Sequence, residues 1–284
     1  MGGCSMSQSP GSSGGEAPVT VPDFLAAPSQ KRRLAVVSLY DYPMARMFDE
    51  AGADCLLVGD SLGMVVRGEP DSLGVTLEEM IYHAKAVVRG TKRALVVVDM
   101  PFMSYQLSPT QALENAGRIL RETGAHAVKL EGGLRMAPMI EAIVGADIPV
   151  MGHIGLTPQS VHRMGGHKVQ GRVDGVEPGG RQRLLDDAHA VEQAGAFAVV
   201  LEGIPTELAQ EITSKISIPT IGIGAGSFCD GQVLVMHDIL GLSERELTFT
   251  KKYVDMRSLA TNAFQEFAQD VRNGSWPDDK HSFH

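Results

Sequence analysis

From Leu34 onward, short apolar runs alternate with longer amphipathic segments, and few folds accept that alternation. It is the signature of repeated β-α units laid into a parallel sheet, because strands covered on both faces are apolar throughout while the helices covering them are apolar on one side. The spacing predicts strands at Leu34–Leu39, Cys55–Val58, Ala94–Val98, Ala125–Leu130, Ile148–Met151, Ala196–Leu201 and Pro219–Ile223, with a fainter eighth near Val233–Val235. It predicts helices at Tyr42–Ala51, Leu77–Arg89, Pro109–Glu122, Ala137–Val144, Gln182–Ala194 and Thr206–Lys215. The implied α/β fold is a (β/α)8 TIM barrel, and its length suits one domain.

The domain is expected over residues 29–284, preceded by an arm over residues 1–28 that is rich in Gly, Ser and Pro and is expected to be disordered. The segment Arg257–Val271 predicts a further helix with Leu259, Ala263, Phe264, Phe267 and Val271 on one face. Such a helix serves either a subunit contact or closure of the barrel floor.

In a barrel of this kind, chemistry collects at the carboxyl ends of the strands. Three predicted strands end in acids there: Gly59-Asp60-Ser61, Asp99, and Lys129-Leu-Glu131. Each acid alone could cap the following helix. Three at successive strand ends would converge on one point if the strands were neighbours. Asp60, Asp99 and Glu131 are hard oxygen donors with no histidine or thiol obviously placed beside them in the sequence, so Mg²⁺ is favoured over Zn²⁺. Lys129 and Glu131 are two apart and share a face, and a lysine in the lumen needs a counter-charge from acids or an anionic substrate. A buried Lys–Glu pair without a ligand is the plainer alternative.

His153 ends the fifth strand, placed to support the site by holding Lys129 or donating to a substrate, and equally able to be a satisfied core histidine. Glu202 ends the sixth, expected across the barrel from the other acids, and its apolar neighbours make it a candidate general base. The Gly165–Gly171 loop suits a lid over the mouth or simple tight turns. Gly222-Ile-Gly-Ala-Gly226 permits close approach of a neighbouring backbone or substrate more readily than it makes a phosphate cradle.

Bulk properties narrow the partners. A net charge of −9 and a pI near 5.5, without any basic run, oppose binding to nucleic acid or an anionic membrane. Three scattered cysteines build neither a disulfide framework nor a zinc cluster, and a cytoplasmic, reducing compartment is expected. No apolar run reaches the ~20 residues of a membrane span, no secretory leader is apparent, and Met6 stands where N-myristoylation needs Ser or Thr.

Several ordered segments together carry a resemblance. Val58-Gly-Asp-Ser-Leu-Gly-Met64, Asp99-Met-Pro-Phe-Met103, Val128-Lys-Leu-Glu-Gly-Gly133, Gly152-His-Ile-Gly-Leu-Thr-Pro-Gln-Ser160, Lys168-Val-Gln-Gly-Arg172, Ile221-Gly-Ile-Gly-Ala-Gly226, Asp230-Gly-Gln232 and His281-Ser-Phe-His284 resemble the ketopantoate hydroxymethyltransferase family from about Gln30 to His284. The resemblance implies a phosphoenolpyruvate/pyruvate-type barrel, Mg²⁺, 5,10-methylenetetrahydrofolate as one-carbon donor, 3-methyl-2-oxobutanoate as acceptor and a cytoplasmic homodecamer. It implies metal positions at Asp60, Asp99 and Glu131, oxoacid-binding positions at Asp60, Ser61, Asp99 and Lys129, and a proton acceptor at Glu202. Ser72-Leu-Gly-Val-Thr76 and His167 depart from the family's usual Thr-Leu-Pro-Val-Thr and aromatic residue, and the long arm lies outside its pattern. The alternative on the same scaffold is an Mg²⁺-dependent C–C lyase of oxoacids of the isocitrate lyase and phosphoenolpyruvate mutase type. Lyases of that type carry a reactive cysteine in a mobile lid, and Gly165–Gly171 has none.

Overall fold

The computed structural model describes residues 17–175, 180–243 and 247–284. The elements run α1 (Val21–Ala26), β1 (Leu34–Ser38), α2 (Tyr42–Glu50), β2 (Cys55–Val58), α3 (Leu62–Val65), α4 (Leu77–Gly90), β3 (Leu95–Asp99), α5 (Pro109–Thr123), β4 (Ala127–Glu131), α6 (Ala137–Val144), β5 (Val150–Gly155), α7 (Val161–Met164), α8 (Arg181–Gln193), β6 (Ala198–Glu202), α9 (Thr206–Lys215), β7 (Thr220–Ile223), β8 (Gly231–Val235), α10 (Met236–Leu240) and α11 (Met256–Asn273). The eight strands pair in parallel and in sequence order, and β8 returns to β1 to close the barrel.

Local sequence fixes the helix ends. Thr76 and Glu79 form a capping box that starts α4, satisfying backbone N–H groups that the helix itself leaves open. Ser108 and Pro109 start α5, and Gly124 at φ 79° ends it in a left-handed conformation costly for other residues.

Two apolar cores result. One lies between the sheet and the helix ring. The other fills the lumen with Leu34, Val36, Cys55, Leu57, Leu95, Val97, Ala127, Met151, Ala198, Val200, Ile221 and Val233. Side chains alternate faces along a strand, so the residues two steps on from Val97, Ala127, Met151 and Val200 enter the lumen one layer higher. Those residues are Asp99, Lys129, His153 and Glu202, and a further two steps from Lys129 is Glu131. Period two alone thus stacks a charged layer on an apolar one.

The floor of the barrel corrects the expected disordered arm. From Val21 the chain is helical, begun by a capping box in which Asp23 N–H donates to the Thr20 hydroxyl and Thr20 N–H to the Asp23 carboxylate. Phe24 of α1 is fully buried, joins the lumen core and meets Phe197 edge to face at 5.7 Å. Residues 1–16 of the expected arm lie outside the described residues. Because α1 seals the floor, α11 does not; α11 has no buried residue, and its Leu259, Phe264, Phe267 and Val271 are all exposed.

Candidate active site

The charged layer sits at the carboxyl ends of β2 to β6, buried beneath the loops. Asp60, Asp99, Lys129, Glu131 and His153 are all buried. Strand register sets Asp99 beside Lys129, Glu131 beside His153, and Gly155 beside Glu202. Lys129 Nζ lies 2.7 Å from Asp99 Oδ1 and 3.2 Å from His153 Nδ1. His153 Nδ1 is 3.5 Å from Glu131 Oε1, and its Nε2 is 3.2 Å from Glu202 Oε2. Glu202 is therefore not isolated across the barrel, as its sequence position suggested. One imidazole joins it to Glu131, because β5 lies between β4 and β6 and pairs His153 with Glu131, within reach of Glu202.

Asp60 leaves β2 through Gly59, where a Cβ would stand 2.7 Å from Ser38 Oγ and 2.8 Å from Ser61 Oγ, so a larger residue would have to displace both hydroxyls. Asp60 N–H donates to Asp99 Oδ2 at 3.1 Å. Ser61 Oγ lies 2.8 Å from the hydroxyl of buried Tyr40, apart from the carboxylates' own network.

Gln159 ties the acids together, a role the sequence did not disclose. Its backbone N–H donates to Glu131 Oε2 and its Nε2 to Asp60 Oδ2, each at 2.9 Å, and Nε2 also reaches Met100 O at 3.0 Å. Its Oε1 accepts from Tyr105 OH at 2.7 Å and from Gln106 Nε2 at 3.1 Å, which fixes the amide orientation. Tyr105 OH in turn accepts from Glu131 N–H at 3.1 Å. The only sequence signal for Gln159 is its place in the segment after β5; Tyr105 has none.

Burial, then the charges of Asp99 and Glu131, pushes the Asp60 carboxyl up to about 8. Burial also raises Asp99, against the pull of Lys129. For His153, burial and Lys129 oppose the charged form, yet hydrogen bonds to Glu131 and Glu202 outweigh them and hold the ring at about 9. Glu131 is opposed by burial but is held below its ordinary range by His153 and Lys129. With four carboxylates around two cationic side chains, the layer is short of positive charge.

That shortage, and a donor set of hard oxygens, fits a divalent cation. Among the described residues no three His, Cys, Asp or Glu side chains form a ready cage. Both Glu131 oxygens face protein partners, whereas Asp99 Oδ1 has only the Lys129 ion contact, without an aligned hydrogen bond. Such a site suits an ion that takes one or two carboxylates and completes its shell with water or substrate.

Above the layer opens a cavity of about 590 Å³ whose wall includes Glu131 and Gln159 together with Phe102, Met136 and Met164. In the loop expected as a lid, Gly171 packs so closely that a Cβ would lie 2.4 Å from Leu208 Cδ2, and Gln170 N–H is bonded to Gly203 O at 2.9 Å. At the Gly222–Gly226 run, Cβ atoms at 224 and 226 would meet the side chains of Phe249 and Thr206.

Closed parallel topology with a charged layer at the strand ends defines a (β/α)8-barrel enzyme. Solved barrels share the fold: phosphonopyruvate hydrolase, in a structure described as a complex with oxalate and Mg²⁺, matches with a TM-score of 0.59 at 13% identity, over 92% of this chain and 93% of that one. A 2,3-dimethylmalate lyase of the PEP mutase/isocitrate lyase superfamily matches with a TM-score of 0.58 at 17% identity, over 92% and 91%. The chain belongs to the ketopantoate hydroxymethyltransferase family, whose sequence model matches residues 18–279. It is 56% identical to the 3-methyl-2-oxobutanoate hydroxymethyltransferase of Trichlorobacter lovleyi over 93% of this chain and 98% of that protein. It is 52% identical to the enzyme of the same name from Clostridium beijerinckii over 93% and 95%. It is a transferase of the pantothenate pathway. No described helix is long and apolar enough to cross a membrane.

Proposed function

We propose that the chain moves a one-carbon unit from 5,10-methylenetetrahydrofolate to 3-methyl-2-oxobutanoate, giving 2-dehydropantoate and tetrahydrofolate, with Mg²⁺ held by Asp60 and Asp99 and Glu131 behind them. Bound there, Mg²⁺ would draw electron density from the keto oxygen and make the C3 proton more acidic. Lys129 offsets negative charge on the oxoacid, and Ser61 binds beside Asp60. Glu202 takes the C3 proton, and His153, 3.2 Å away, holds its carboxylate in position. The enolised oxoacid then forms a carbon–carbon bond to the donor's one-carbon unit in its N5 iminium form; one water is consumed as its oxygen replaces N5 on that carbon, and the C–N5 electron pair and a proton leave with tetrahydrofolate. The observation that carries this assignment is the linked cluster of Asp99, Lys129, Glu131, His153 and Glu202 at the strand ends, with Asp60 tied to it through Gln159.

The C–C lyase alternative rests on likeness of fold alone, and family membership favours transfer. The uncovered apolar face of α11 supports association with further copies of the chain, and the number ten rests on the family resemblance alone. The free, buried Cys55 and Cys229 accord with a reducing cytoplasm. The test is solvent deuterium exchange at C3 of 3-methyl-2-oxobutanoate, with and without Mg²⁺ and donor. Exchange that needs Mg²⁺ but not folate is expected; no exchange under any condition, or cleavage of 2-methylisocitrate, would overturn the assignment.

A further inference from the structure

The 590 Å³ cavity is far larger than a five-carbon oxoacid requires, since cavities of ~300–1,000 Å³ enclose drug-sized ligands. It also lies to one side of the acids. Glu131 and Gln159 belong to its wall, but Asp60, Asp99, Lys129 and Glu202 do not. A second, larger reactant can therefore stand against the charged layer without displacing the first.

The wall has two characters. Phe102, Met136 and Met164 give part of the wall a polarizable, apolar lining suited to a planar heterocycle. At the rim stand Arg135 on the β4–α6 connection and Arg163 on α7, both exposed. Arg183 also lines the cavity but is held by Asp187 at 3.1 Å. Among the described residues neither Arg135 nor Arg163 has a hydrogen-bond or ion-pair partner. In a chain of net charge −9, two uncommitted guanidinium groups at one cavity mouth mark a place for anions.

We infer that this cavity is the donor site, with the donor's heterocycle between Phe102, Met136 and Met164 and its carboxylate tail on Arg135 and Arg163. The inference rests on the folate-dependent reaction proposed above. It places the one-carbon unit toward Glu131 and Gln159, on the side from which the enolised oxoacid can be reached.

The experiment compares two donors in one assay: methylenetetrahydrofolate, and a tail-less tetrahydropterin loaded with formaldehyde. The proteins are the unmodified chain, R135A, R163A, R135A/R163A and R135K/R163K. The double alanine variant is expected to raise KM for the tailed donor relative to the tail-less one about tenfold, the effect of one charge-assisted hydrogen bond. The lysine pair is expected to restore most of that ratio, and the unmodified chain's preference for the tailed donor is expected to weaken with salt. An unchanged ratio, or equal losses with both donors, overturns the assignment of the cavity. Mg²⁺-dependent C3 exchange is measured in parallel on the unmodified chain. If it is present while the ratio is unchanged, only this inference fails; if it is absent, the proposed reaction fails and this inference with it.

Discussion

Glu202 and His153 form a pair whose division of labour can be separated by substitution. Glu202→Gln keeps the shape and a hydrogen bond to His153 but removes the ability to accept a proton. C3 exchange is expected to fall by roughly 10²–10⁴-fold, the usual share of general base catalysis, with oxoacid binding nearly intact by calorimetry. Exchange at the unmodified rate would move the proton step to another group. Gln159 answers a different measurement. Its side chain holds one oxygen of Asp60 and leaves the other without a protein hydrogen bond among the described residues. Gln159→Ala is expected to weaken Mg²⁺ or Mn²⁺ binding by ~10–100-fold, the common effect of losing a group that orients a metal ligand, and Tyr105→Phe to weaken it less. The charged layer should also govern stability against pH. Asp60, raised from 3.8 to about 8, keeps a proton that the unfolded chain has shed, so rising pH favours unfolding across that interval. His153, raised from 6.5 to about 9, stabilises the fold fully below 6.5 and loses that contribution as pH climbs through 9. The two act in the same direction, so the melting temperature of metal-free protein should drop between about pH 6.5 and 9. Added Mg²⁺, which competes with the Asp60 proton, should lessen the drop; a rise with pH in EDTA would contradict these positions.

Elements were legible wherever one periodicity ruled them. All eight strands stand where the apolar runs predict, and α6 and α9 match residue for residue. The strand ends were less legible. β4 runs on to Glu131, β5 to Gly155 and β6 to Glu202, because the ladder continues through polar residues that face the mouth while apolarity stops earlier. The site's acids were visible for the same reason: each interrupts a hydrophobic pattern. Gln159 was not, since its value lies in reaching Asp60 from the far side of β3 and β4, a contact between distant segments that no local pattern encodes. The short helix α1 was lost inside Gly, Ser and Pro, although Thr20-Val-Pro-Asp23 is a capping signature. Phe24 gives the correction a measurable form. Phe24→Ala should cost ~3–5 kcal/mol by opening a cavity in the lumen core. Leu25→Ala, on the exposed side of the same helix, should stay within ~0.5 kcal/mol, both read by denaturant unfolding. Equal effects would mean that α1 does not seal the barrel in solution.

At the scale of the whole molecule, the barrel has an apolar lower lumen, a charged layer above it, and a cavity above that. Among the described residues the lumen below the acids is filled by apolar side chains, and Phe24 closes the bottom. The closed floor turns spatial depth into temporal order. With the floor closed and the donor cavity adjoining the acids at Glu131 and Gln159, we predict for the proposed reaction that the small oxoacid enters before the donor and that tetrahydrofolate departs before 2-dehydropantoate. Steady-state kinetics should therefore be sequential and ordered, with 2-dehydropantoate competing against the oxoacid and tetrahydrofolate not doing so. Random addition would mean that a donor in its cavity leaves the oxoacid's path open. Isotope trapping would show the same asymmetry directly: labelled oxoacid already on the enzyme should be committed to product once donor is in excess, and labelled donor should not.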